Sequence, residues 1–330
     1  MKDTTVLSAA GEASNSGTRA PIVKKPMLSW ILLFACNLMW SLQFTCIKLV
    51  QDQVGVYFTV WAPMLLSTLF LLPFVMKQIR EKERGWTDVR TFGLLALIGV
   101  FPAQVFMTWG TQYSLASNAA IITLALPVIA AFFAFLMLKE KMNTARWTSF
   151  GIAIVGVVLC STGDIRRIDF SSRFMIGNLL IVLAIVGNAY YNTGCKKIAD
   201  RYSEIEMVFF TYVAMIVLLT PLVFYFEPHI FSNIRFFTAQ TWTGLALLTF
   251  FHNFLSMILF FKALKMLDAI QVALSNYLIP FFGLPVAAIW LGESPGGWTL
   301  VGGTLVLAGT LIITVWDYKA NTVKSLVKNY

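Results

Sequence analysis

LALPVIAAFFAFLMLKEK, residues 124–141, and LIPFFGLPVAAIWLGES, residues 278–294, decide how this chain folds. Each is a continuous apolar run, and neither alternates polar with apolar residues as the wall of a barrel would. Each carries a proline followed 13 residues later by a glutamate, Pro127 with Glu140 and Pro280 with Glu293. At 1.5 Å per residue that spacing is roughly 20 Å of helix, which puts the prolines near the centre of a bilayer and the glutamates near its boundary. The two stretches therefore predict membrane helices in a duplicated chain.

The rest of the sequence agrees. Of 330 residues 58% are hydrophobic and only 12% charged, with a mean hydropathy of +0.74, too apolar for a soluble domain with a polar shell. A hydrocarbon layer roughly 30 Å thick needs about 20 residues of helix. Ten such runs are expected, at 28–50, 56–76, 91–112, 117–138, 144–162, 174–196, 206–226, 240–262, 269–291 and 297–316. The fold class is all-α integral membrane. Residues 1–26 are rich in Ser, Thr, Ala and Gly and have no apolar stretch to act as a signal peptide core, so they read as a disordered tail. Residues 317–330 form a second tail. Cys36, Cys46, Cys160 and Cys195 all fall within spans, have no metal-ligand or CxxC spacing, and read as small buried apolar residues.

Charge sets the orientation. With the N-terminus in the cytoplasm, all 25 Lys and Arg except Lys48, Arg166, Arg167, Arg173 and Arg235 lie on the inner side, which satisfies the positive-inside rule. Both termini are expected in the cytoplasm, and the membrane is expected to be the plasma (inner) membrane. The net charge of +9 is thus a topology signal, and no nucleic-acid partner is inferred from it.

The chain also repeats itself. A shift of 153 residues lays Pro127 on Pro280, Ala134 on Ala287, Glu140 on Glu293 and Gly156 on Gly309. A shift of 148 lays Thr45 on Thr193, Lys48 on Lys196 and Pro73 on Pro221. The halves, 27–163 and 164–316, then hold five spans each. Five is odd, so the second half enters the membrane in the opposite sense, an inverted repeat that suits alternating access to a site between the halves.

WSLQFTCIK, residues 40–48, together with the two opening stretches, resembles the drug/metabolite transporter superfamily, specifically its EamA-type ten-helix transporters built from two five-helix repeats. The resemblance covers about residues 28–316. It implies a secondary carrier with paired EamA-like repeats. Many members carry an arginine early in the second span; this chain reads WAPM there, Trp61 to Met64, which argues against an anionic substrate held through such an arginine.

Candidate site residues follow from depth. Asn37, Gln104, Asn188, His252 and Asn253 fall near the middle of their spans, with Gln43, Tyr191, Asn276 and Tyr277 a turn or two away. A buried amide must bond to another helix, to water or to a substrate. Trp40, Trp109, Tyr190, Tyr191 and Tyr277 add aromatic faces, so the pocket expected is neutral, amide-rich and suited to a small amphipathic solute. On the first helix Trp40, Gln43 and Ile47 share one stripe, while Leu42, Thr45 and Leu49 face protein or lipid. Pro127 and Pro280 are candidate kinks or hinges. Glu140 and Glu293, the repeat motif, close their helices where a carboxylate can stay hydrated, and Lys48 and Lys196 sit at span ends where a lysine stem can snorkel. His252 is the one deep ionisable side chain, more often a hydrogen-bonding group than a proton carrier in such a setting.

No HExxH, GxSxG or Walker loop occurs and no carboxylates pair at depth, so neither an enzyme nor a nucleotide-driven pump has its parts. No catalytic residue, metal or cofactor is expected. The partners expected are a small-molecule substrate and the lipid bilayer; oligomeric state is not encoded in these patterns. The function expected is a secondary-active exporter of amino acids or similar small metabolites. Alternatives are a nucleotide-sugar or lipid-linked carrier, which would want a basic cluster for phosphate, and a non-transporting receptor or scaffold.

Overall fold

A computed structural model describes residues 26–79, 85–139, 143–162, 172–198, 201–266, 275–276 and 278–328. Glu140 and Tyr277 lie outside the described residues, as do residues 1–25. Every regular element among the described residues is helical. That follows from the apolar runs: in lipid a backbone must satisfy its own N–H and C=O groups, and a helix does so within one segment.

The first half begins with α1 (Pro26–Val50) and α2 (Val56–Ile79). The run α3 (Trp86–Tyr113) follows, and α4 runs from Ala116–Ile122 through the 3-10 turn Thr123–Ala125 into Leu126–Leu138. The helix α5 is Thr144–Thr162. Next come α6 (Arg173–Ile198) and α7 (Glu204–Phe226). The run α8 starts as Ala239–Leu247 and ends as Ser256–Met266. Last are α9 (Leu278–Leu291) and α10 (Gly297–Lys328). Among the described residues seven helices are long and apolar enough to cross a membrane, while Thr144–Cys160, Leu278–Leu291 and Gly297–Gly309 are shorter apolar helices. Large apolar side chains such as Phe70, Phe74, Val217 and Ile289 stand exposed on the outside of the bundle, where lipid rather than water would cover them.

Two features were not expected from the sequence. The last helix does not stop near residue 316 but continues to Lys328, because DYKANTVKSLVK holds no Gly or Pro to end it. The connection between α7 and α8 folds into a short helix, Ile230–Asn233, and a 3-10 turn, Ile234–Phe236.

Packing is pairwise. The helix α5 runs along α10, and α2 along α7; α1 packs on α9 and α8, while α6 packs on α4 and α3. At the α5–α10 crossing a Cβ on Gly156 would lie 2.6 Å from the Gly302 carbonyl oxygen, so the two backbones touch and only glycine fits. The four cysteines are buried and free.

Two helices are widened in mid-course. In α3 the stretches Leu95–Val100 and Pro102–Phe106 have π geometry, and in α8 Leu248–Leu255 does. Such turns hold one residue more than an α turn, and they cluster at functional sites.

Candidate functional site

The widened stretches of α3 and α8 face a cavity in the middle of the bundle. Its volume is about 80 Å³, small against the ~300–1,000 Å³ of pockets that enclose a drug-sized ligand. The helix α1 contributes Trp40, Gln43 and Phe44, and α3 contributes Val100, Gln104 and Met107. From the second half, α6 presents Asn188, Tyr191 and Asn192, and α8 presents His252, Asn253 and Met257.

Several polar wall residues are held by specific bonds. The Gln43 Nε2 donates to Gln104 Oε1 at 3.1 Å, which ties the first helix to the widened turn of α3. The Trp40 indole N–H donates to Ser256 Oγ at 3.0 Å, and its ring lies against Phe260 with centroids 4.9 Å apart. Ser256 in turn donates to the His252 carbonyl. Tyr212 of α7 donates to the Asn253 carbonyl at 2.8 Å, and the Asn253 Nδ2 reaches back to the Leu248 carbonyl at 2.8 Å. The Tyr191 hydroxyl donates to Thr211 Oγ1 at 3.3 Å. Three of these bonds end on backbone carbonyls of the π turn of α8, those of Leu248, His252 and Asn253. The buried Nδ1 of His252 makes no hydrogen bond among the described residues.

Of the residues expected from depth, Trp40, Gln43, Gln104, Asn188, Tyr191, His252 and Asn253 line this cavity. Asn37, Trp109 and Asn276 do not. Asn37 is fully buried and donates to the Leu33 carbonyl at 2.8 Å and to Ser275 Oγ at 2.9 Å. Asn276, which follows Ser275 in the sequence, is buried, and Trp109 meets Tyr113 edge-on. Tyr190, also expected as an aromatic face, packs on Phe133. Tyr277 lies outside the described residues. Pro127 and Pro280 are both buried: Pro127 follows the 3-10 turn of α4, and Pro280 sits in the first turn of α9.

The cavity also takes residues that no sequence feature singled out. Asn192 stands one turn after Asn188 on the same face of α6, a repeat of amides at helical spacing that could have found it. Met64, Met107, Met257 and Tyr212 left no such signal in so apolar a chain.

One end of the bundle, near Val50, Tyr113 and Ala116, is tied by polar bonds. Lys48 is half-buried, and its Nζ donates to the Gln112 carbonyl at 3.1 Å rather than reaching freely outward. The Glu293 carboxylate accepts from the Ala116 N–H at 3.1 Å and from the Ser117 N–H at 2.9 Å, capping α4. Glu227 does the same for α2, accepting from the N–H groups of Tyr57 at 2.8 Å and Phe58 at 3.0 Å. Burial pushes the Glu227 carboxyl pKa up, and the two N–H bonds pull it part of the way back. Among the described residues no three His, Cys, Asp or Glu side chains come together to hold a metal ion.

Known proteins resemble the chain over most of its length. A protein of Streptantibioticus cattleyicolor named as a probable terminal-alkyne amino-acid exporter is 26% identical over 281 residues, 83% of this chain and 89% of that one. An S-adenosylmethionine uptake transporter of Rickettsia bellii is 27% identical over 263 residues, 78% of this chain and 83% of its own. A solved crystal structure covers 88% of this chain and 98% of its own at a TM-score of 0.62 and 14% identity, a likeness of fold. Both relatives are named for the transport of a small molecule. The model of the EamA-like transporter family matches twice, at residues 27–162 and again at 175–315, and with apolar helices around a polar centre the chain belongs to that family.

Proposed function

We propose that this chain is a secondary-active carrier that exports amino acids or similar small metabolites by alternating access around the central cavity. The observation that carries the reading is the cavity itself, whose walls come from both halves of the chain and combine amides with aromatic faces. In this reading ten spans form two inverted five-helix repeats, 27–163 and 164–316, with both termini in the cytoplasm and the protein in the plasma (inner) membrane. The pairing of helices supports it: exchanging the halves turns α1 on α9 and α8 into α6 on α4 and α3, and leaves α2 with α7 and α5 with α10 unchanged. The small volume of the cavity suits a conformation between the two open ones. The relatives include a named exporter and a named uptake transporter, and in a secondary carrier net direction follows the gradients. Glu140 and Glu293 are assigned to the span ends, Pro127 and Pro280 to the moving region. Trp109, Asn37, Asn276 and Tyr277 remain candidates for a more open state.

The test is exchange of labelled amino acids in proteoliposomes holding the purified protein. Trp40→Ala and Gln43→Ala should each reduce exchange at least tenfold at normal protein levels, while Leu42→Ala should not. A cysteine at position 43 should react with a small water-soluble thiol reagent; full protection in every condition would remove α1 from the site. Pro127→Ala and Pro280→Ala should slow exchange more than they lower yield.

A further inference from the structure

We infer that the cavity sorts its solutes by charge, taking net-neutral or monocationic amphipathic molecules and rejecting net anions. The inference rests on the carrier reading above and names its substrate class. Among the described residues, none of the side chains that line the cavity is a Lys, Arg, Asp or Glu. The cation nearest along α1, Lys48, is five residues beyond Gln43 and already donates to the Gln112 carbonyl. An anion entering this space would find no lysine or arginine to pair with, only the imidazole of His252, and an unpaired charge away from water is the costliest thing a cavity can hold.

The hydrogen-bond donors point the same way. The indole N–H of Trp40, the hydroxyls of Tyr191 and Tyr212, and the amide of Asn253 all donate into the protein, to Ser256, Thr211, Asn253 and Leu248. The polar ends of Trp40, Tyr191 and Tyr212 are thus engaged elsewhere, and their rings remain in the wall. Trp40, Phe44, Phe260 and the two tyrosines make the wall rich in aromatic rings, whose π systems are electron-rich, and Met64, Met107 and Met257 add polarisable thioethers. Such walls attract cations and apolar groups. The amides of Gln104, Asn188 and Asn192 can each donate and accept, enough to orient a zwitterion that brings its own counterion but not to neutralise an anion.

Three derivatives of one skeleton test this in the same proteoliposomes: leucine as the zwitterion, leucinamide as the cation and N-acetylleucine as the anion. Each competes against exchange of the best labelled amino acid. Leucine and leucinamide should compete within a few-fold of one another, and N-acetylleucine at least tenfold more weakly. Equal competition by N-acetylleucine and leucinamide would overturn the charge inference and leave the carrier function standing. No exchange of any amino acid would overturn both. Two variants make the sign explicit. Asn188→Asp should strengthen leucinamide against leucine at least threefold, and Asn188→Lys should admit N-acetylleucine while losing leucinamide. If both variants, recovered as monodisperse protein, shift the three solutes equally, charge is not what the cavity reads.

Discussion

The two widened helices reach the same geometry by different means. In α3 the cause is covalent: Pro102 lacks an N–H and its ring crowds the carbonyl one turn back, so the helix opens on either side of Phe101, whose own N–H bonds five residues back to Ala96. In α8 no Pro or Gly lies within Leu248–Leu255. There side chains bond to carbonyls of the widened stretch, Tyr212 to Asn253, Asn253 to Leu248 and Ser256 to His252. One widening is written into its own segment. The other depends on a tyrosine that arrives from α7, and it should relax when that partner is taken away.

The most disruptive way to break the α3 member is from across its interface. A Cβ on Gly187 of α6 would meet the Gly99 carbonyl oxygen and Pro102 Cγ, both at 2.7 Å. Gly187→Ala should cost about 3 kcal/mol, the upper end for overpacking, because one obstacle is backbone. It should appear as a fall in thermal midpoint and in monodisperse yield. Tyr212→Phe attacks the α8 member and should cost about 1–2 kcal/mol by removing its hydroxyl bonds to the buried Asn253 carbonyl and Oδ1. Hydrogen exchange should then quicken over 248–255 and stay unchanged over 95–106. Faster exchange in both stretches would mean that the two are not separately held. Pro102→Ala should change stability by less than about 1 kcal/mol, since it restores a helix donor at the expense of a packed ring. Its readout is functional: if α3 tightens, Gln104 turns from Gln43 and exchange drops severalfold.

Glu227 touches neither widening and calibrates the scale. Glu227→Gln should shift stability at neutral pH by no more than about 0.5 kcal/mol, because relief from burying a charge offsets a weaker cap. The folded state raises this pKa, so the folded chain binds the proton more readily than the unfolded one. Stability from this group is therefore present at acid pH and lost as pH rises through its titration. The variant should lack that fall, as thermal midpoints measured across the carboxylate range would reveal.

The same contrast explains what could be read in advance. Helices could be read because each apolar run is its own signal, and within a few residues α1, α2, α4, α5, α6, α7 and α8 lie where hydropathy placed them. The widening at Pro102 has a local cause visible in the letters; that of α8 has none, since Tyr212 is far off in sequence. Depth located Gln43, Gln104, Asn188, His252 and Asn253 well enough, yet Asn37 and Asn276 share that depth without lining the cavity. Counting residues from a helix end fixes height but not rotation against neighbours. Methionines in the wall could not be told from methionines in the core, because both are apolar to a hydropathy scale.

The caps on α2 and α4 have a consequence for how the chain is made. Leu115, which precedes α4, has no side-chain acceptor, and the carboxylate that serves its first turn comes from Glu293, 176 residues beyond Ser117. The start of α2 waits in the same way for Glu227, 170 residues beyond Tyr57. A ribosome adds about 5–20 residues per second, so these helix ends stand incomplete for roughly ten seconds or more while the rest of the chain is synthesised. Early helices are thus finished by late ones. A nascent chain halted between its two halves would carry helices already inserted, with their first turns open to water at the membrane surface and available to whatever acceptor meets them first.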